Sequence, residues 1–471
     1  MKLERWRRLM LVSLCLSLPL VPTAALAHAS DRGHVLLLPT GHYLVGGAIV
    51  VAASFLVLLF VRPEWLERLS ARRLKIGGMS DALRLPLSLA SFAILATLVA
   101  AGYLGSRDPL SNPLPLTVWT LVWVGLTLVQ GVLGNLWYWL NPWYAPWRIV
   151  LAFLGRSRAD QPPLKLPRRI GMWPAVLLFA GFAWFELIYP APDDPARLAS
   201  AVSIYWLLSF AATLAFGHDA WSLSVFFGMV SHLGVVQWSP ADGGRITLCL
   251  PGAKLSAAPA LPASGAIFLL VALASVSFDG LSKTFFWFGL NGLNPLEYPG
   301  RTALADINGV GLLATSATLV AAFLLCIFAG ERLARSRNSF WEAAGTLVWS
   351  IAPIALAYHF AHYLTALLVN GQYALVALSD PFSAGWDLFG TAQMAVGAGI
   401  AMGSDAAWLI WNAQAAAVVG GHILAVLTAH LLAFRLHDTV QAASLSQFPL
   451  VVLMIAYTVF GLWLLSTPTA G

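Results

Sequence analysis

"AAGTLVWSIAPIALAYHFAHYLTALLV", residues 343–369, runs its whole length without Asp, Glu, Lys or Arg. As a helix rising about 1.5 Å per residue, it is long enough to cross the ~30 Å hydrocarbon layer of a bilayer. Near its middle it carries His359 and His362, three positions apart and each beside a tyrosine. A polar pair in lipid costs free energy that packing alone does not require. The pair is therefore structural glue, a metal site or a reaction centre, and the rest of the sequence bears on which.

The same kind of apolar run recurs along the chain. Of 471 residues, 59% are hydrophobic and only 10% charged, with a mean hydropathy of +0.76. Soluble domains carry about 25% charged residues, so most of this chain belongs in lipid. Further spans are expected near 43–61, 86–104, 116–136, 172–190, 198–216, 264–280, 309–330, 407–433 and 448–466. The expected fold is all-α: a polytopic membrane helix bundle of about ten transmembrane helices.

Residues 1–27 have the pattern of a cleaved signal peptide: "MKLERWRR" is the charged region, "LMLVSLCLSLPLV" the apolar core, and Ala25–Ala27 the small-residue cleavage site. Cleavage leaves residues 28–471 as a single transmembrane helical domain beginning at His28. Of the three cysteines, Cys15 leaves with the signal, Cys326 lies in an apolar run and Cys249 in a loop, so no disulfide framework is available.

The net charge of +6 is carried by short clusters between apolar runs, not by a stripe that would hold nucleic acid. Arg62 to Arg84, Arg148 to Arg169, and Arg332, Arg335 and Arg337 mark cytoplasmic loops if the mature N-terminus lies outside. Those three placements agree only if "WSLSVFFGMVSHLGVVQW", 221–238, does not cross, so it is expected to be an interfacial or re-entrant helix. The location expected is a bacterial inner membrane, with both mature ends periplasmic. Three polar stretches then face outward: residues 28–42, the loop from Phe278 and the loop from Asn370.

Ionisable residues in spans are the functional candidates. His359 and His362 project from one helix face and offer two imidazoles to an ion. Zinc usually takes three or four ligands, and interhelical hydrogen bonding explains such a pair equally well. His422, preceded by Gly420 and Gly421, could meet His362 across a helix interface, whereas His430 lies about 12 Å further along its helix. Glu186 in "WFELIYP" and Asp279 in "VSFDGLS" come at span ends, as metal ligands, general bases, or partners of Lys283 or Arg301. Asp279 precedes Gly280 and suits a cap or turn equally. His28, as the mature N-terminus, offers an amine and an imidazole to one metal, with His34 and His42 close behind. The expected cofactor is a divalent transition metal held by His28, Glu186, Asp279, His359, His362 and His422 in some combination.

"GNLWYWLNPW", "FELIYPAPDDP", "FDGLS", "AHYLTALLVNGQ", "SDPFSAGWDLFGT" and the "GH…AH" helix resemble a bacterial membrane-protein family known as fenitrothion hydrolase. The similarity runs over most of the chain and is sharpest from about Trp341 to Asp438. It implies an organophosphorus hydrolase that cleaves the P–O–aryl bond of a small hydrophobic triester, acting together with a second subunit. By motif, the matching positions are Asp279, His362, Gln372, Asp380, Asp387, His422 and His430.

The expected chemistry is metal-assisted attack of water in an outward-facing His/carboxylate cavity, with Asp387 or Asp380 orienting the water. Two readings compete. A proton- or metal-coupled transporter, or metal-handling protein, would use the same side chains as a pathway. A membrane subunit or scaffold for a periplasmic partner enzyme would use the aromatic outer loops for docking.

Overall fold

A computed structural model describes residues 40–157, 162–217, 221–239, 243–297, 300–397, 399 and 403–469. The expected signal peptide, His28 and His34 lie outside the described residues.

Ten helices are long and apolar enough to cross a membrane. In chain order, with one short helix among them, they are α1 (Thr40–Leu58), α2 (Asp81–Leu104), α3 (Pro113–Leu133), α4 (Arg168–Leu187), α5 (Pro195–Phe216), the short α6 (Ser222–Val230), α7 (Ala263–Ser282), α8 (Arg301–Leu333), α9 (Phe340–Ser379), α10 (Ser404–Leu436) and α11 (Val440–Ser466). The protein is an all-α, multi-pass membrane protein that sits in a lipid bilayer. Helix is the natural choice, because each segment satisfies its own backbone N–H and C=O groups where no water can do so.

Local chemistry sets the ends. Asp194 caps α5 by accepting from the Arg197 N–H at 3.0 Å, Pro195 fills the first helical position, and Gly217 ends the helix in the left-handed region at φ +72°. Thr439 caps α11 through the Ala442 N–H. The helix therefore starts at Val440, eight residues ahead of the hydropathy signal, because its first turns carry polar but buried Ser444, Ser446 and Gln447.

Two boundaries move in ways that matter for the site. Asp279 is a helical residue of α7, not the start of a loop, and α9 continues past Asn370 and Gln372 to Ser379. The 221–238 run also divides. Its first part is α6, nine residues long and so about 14 Å against a ~30 Å layer. Its last residues form strand β2 (Val236–Ser239) instead of helix. Together with β1 (Leu74–Gly78) and β3 (Arg245–Leu248) it makes a small antiparallel sheet in the order β1-β3-β2, with Leu248 opposite both Leu74 and Val236.

Within the stretch expected to be one domain, the chain divides into two compact units. Of the described residues, the first holds those within 40–72, 252–362 and 403–469, and the second those within 73–251 and 363–399. In the second, Leu98, Leu114, Leu198 and Ala199 form a buried cluster of α2, α3 and α5. In the first, α7 is the innermost helix, with 78% of its membrane window buried against 22% for α8. Its small residues, among them Gly265, Ala272, Ala274 and Ser275, allow neighbours to approach.

The α9–α10 contact is tighter still. A Cβ placed on Gly421 would lie 2.5 Å from the Ala357 Cβ and 2.9 Å from the Pro353 carbonyl oxygen, whereas one on Gly420 would meet nothing within 4 Å. Gly421→Ala should therefore destabilise the fold by about 1–3 kcal/mol through overpacking. Gly420→Ala should leave it unchanged. Thermal unfolding of the two variants in detergent, followed by circular dichroism, checks this.

Candidate active site

Residues of α7 and α9 meet in the first unit. Asp279, in the last turn of α7, is buried, and its carboxylate is flanked on both oxygens. Oδ2 accepts from His362 Nε2 at 2.6 Å, and Oδ1 pairs with Lys283 Nζ at 2.6 Å. Lys283 follows four residues later and so reaches the same helix face. Exposure rises from 6% for the Asp279 side chain through 22% for His362 to 49% for Lys283. The cluster thus grades from a buried anion to a cation at the surface. A carboxylate taken out of water costs on the order of several kcal/mol unless paired. Two partners holding both oxygens meet that requirement.

Gly280 plays no turn role here, because it is helical and a Cβ added there would make only ordinary contacts. Of the opening histidine pair, His362 meets the carboxylate, while His359 is buried at 2% exposure.

The other candidate histidines stand apart from the dyad. His422 on α10 is fully buried, and its Nδ1 donates to the Val418 carbonyl at 2.8 Å. Its ring packs on Tyr358, one helical turn before His362, and on Tyr457 of α11, with centroids at 6.1 and 6.4 Å. Tyr358 donates its hydroxyl to the Tyr457 carbonyl, and Tyr457 bonds the Ser277 hydroxyl of α7. The Tyr358 hydroxyl occupies the place a Cβ of residue 461 would take, so only glycine fits there. His430 Nδ1 accepts from Gln447 Nε2 at 2.9 Å.

In the second unit, Glu186 at the end of α4 accepts from the Tyr363 hydroxyl at 3.1 Å. Asp380 and Asp387 brace the loop after α9. Asp380 accepts from the Ala384 and Gly385 N–H groups, each at 2.8 Å, and Asp387 Oδ1 from Ser379 Oγ at 2.8 Å and the Ala392 N–H at 3.0 Å. Gln372 Oε1 takes the Gly397 N–H at 2.9 Å. The backbone N–H of Ala392 and then the Ser379 hydroxyl hold the Asp387 carboxyl below its ordinary range.

Among the described residues, no three His, Cys, Asp or Glu side chains gather closely enough to hold a metal ion. No protein-family model, curated protein or solved structure matches the chain.

Sequence reasoning left Tyr358, Tyr457, Ser277 and Tyr363 out of the candidates. The signal in the sequence is the tyrosine next to each histidine of "AYHFAHY".

Asp387 bonds as the anion, and its folded-state pKa is depressed. Its contribution to loop order is therefore complete above the ordinary carboxylate range, and it is lost as pH falls through the lower, folded value. Cutting beside Trp386 and Phe389 by pepsin, which is active in acid, should rise only in that acid window for the native chain. Asp387→Asn should raise chymotryptic cutting there at neutral pH.

Proposed function

We propose that the chain is a membrane hydrolase of small, neutral organophosphorus triesters, with His362 as general base and Asp279 as the carboxylate that orients it. The observation that supports this reading best is the 2.6 Å His362–Asp279 hydrogen bond beside Lys283, at a helix end that reaches the surface. The family resemblance supplies the substrate class, and the location goes with it: a bacterial cytoplasmic membrane with the dyad toward the outside.

With Nε2–H given to Asp279, Nδ1 is the acceptor nitrogen of the imidazole. Water losing its proton to Nδ1 attacks phosphorus, the new P–O bond forms, and the P–O–aryl bond breaks with its electron pair leaving on the aryloxide. Asp279 stabilises the imidazolium, and the proton returns to solvent. Lys283 pairs with the other Asp279 oxygen. The substrate carries no charge and partitions into lipid, so it needs no steering field.

An ion would draw on His362 and on groups beyond the dyad, since each Asp279 oxygen already has a partner. The proposed proton transfer is routed through the dyad.

Release of nitrophenol from a chromogenic aryl phosphotriester tests the proposal on protein purified in detergent. His362→Ala should lower kcat about 10²-fold or more, the usual scale for a lost general base, with the helical spectrum unchanged. Asp279→Asn should lower it comparably, and chelator should leave it unchanged. Turnover by His362→Ala at the native rate would remove the dyad from the chemistry.

A further inference from the structure

Beyond the dyad, three buried histidines of the first unit lie along α10 and its end. His422 and His430 on α10 and His437 just past its end are buried at 0%, 1% and 8% exposure. Their spacings of eight and seven residues are close to two helical turns, which keeps them near one side of α10. His422 sits against Tyr358, one turn before His362. At the far end His437 Nε2 lies 3.2 Å from Glu331 Oε1 in the last turns of α8. The line from His422 to His437 rises about 22 Å, and the four residues from Tyr358 to His362 add about 6 Å, so the series nearly equals the ~30 Å hydrocarbon layer.

Packing glue is the ordinary account of intramembrane histidines, and it uses both ring nitrogens. His422 does not fit it. With Nδ1–H donated to Val418, Nε2 is a bare lone pair, fully buried, with no hydrogen-bond partner. Such an atom is a base waiting for a donor. The groups facing it are few. Tyr358 comes from α9 and Tyr457 from α11, which contains no Asp, Glu, Lys or Arg. Behind Tyr457 lies Ser277 of α7, a helix whose sole charged residue, Asp279, is bonded to His362 and Lys283. Gln447 from α11 faces His430.

We propose that the first unit conducts protons across the membrane along the series Lys283–Asp279–His362, His422, His430 and His437–Glu331. A proton enters on an imidazole nitrogen at one end, passes between histidines through hydrogen-bonded water, with rises of roughly 10–12 Å between those of α10, and leaves at the other end. Nothing is oxidised or reduced, and no covalent intermediate forms. The conduction shares the dyad with the hydrolysis but does not depend on it, so each can fail alone.

The test uses the full chain in liposomes that trap a pH-sensitive dye, with a potassium gradient and valinomycin setting the potential. The native protein should acidify the lumen well above protein-free liposomes. His422→Gln and His430→Gln, which keep an amide where the ring was but cannot carry a proton, should each cut the flux roughly tenfold or more. Glu331→Gln should do the same, while His232→Gln in the second unit should leave the flux intact. Monodisperse elution of each variant secures the comparison. Native flux no faster than protein-free liposomes, or glutamine variants conducting like the native chain, would overturn the proposal.

Discussion

A carboxylate buried in protein must be neutralised by neighbours or cease to be a carboxylate, and Asp279 shows how this chain meets that constraint. Lys283, on the same helix, reaches one oxygen and His362, on another, the other. Losing one partner of a buried ion pair costs about 3–5 kcal/mol, because the remaining charge stays uncompensated. The α7–α9 register in the first unit is therefore constrained by chemistry as well as by packing. Small residues on α7 and Gly421 on α10 bring the helices near enough for that register to matter.

The same constraint separates the chain's polar residues by task. Asp380 and Asp387 have their carboxylates turned to backbone and hydroxyl donors and hold a loop in shape. Asp279 is bonded to groups that can themselves exchange protons, which is the condition for acid–base chemistry. His422 is a third kind, a buried base with an unoccupied nitrogen. The proposed hydrolysis and the proposed conduction both draw on proton-exchanging groups in a low-dielectric interior, where an unmet lone pair is expensive.

Much of the fold was legible in the sequence, because hydropathy reports the only property lipid selects for. The span expected at 86–104 ends where α2 ends, and 264–280 differs from α7 by a residue or two. The failures have physical causes. Val236–Ser239 reads as the tail of an apolar run, and its pairing with Arg245–Leu248 depends on a partner that no local window contains. The opening turns of α11 are polar yet buried, so a hydropathy average passes over them. In the site, residue types were visible but partners were not. Asp279 and Lys283 stand four apart and could be paired on sight, whereas the choice of His362 over His359, and the Tyr358–Tyr457–Ser277 layer beneath it, needed the helix rotations. Glu331 stands beside Arg332, Arg335 and Arg337, whose charge masks it in the sequence.

The protonation of His362 itself gives the most direct test. Imidazole nitrogen-15 shifts, recorded on selectively labelled protein in native and Asp279→Asn forms, report which ring nitrogen carries hydrogen and to what it is bonded. The account predicts a hydrogen-bonded Nε2–H in the native protein and a large change at that nitrogen in Asp279→Asn. A His362 spectrum identical in the two forms would contradict it, because the carboxylate would then not hold the imidazole at all.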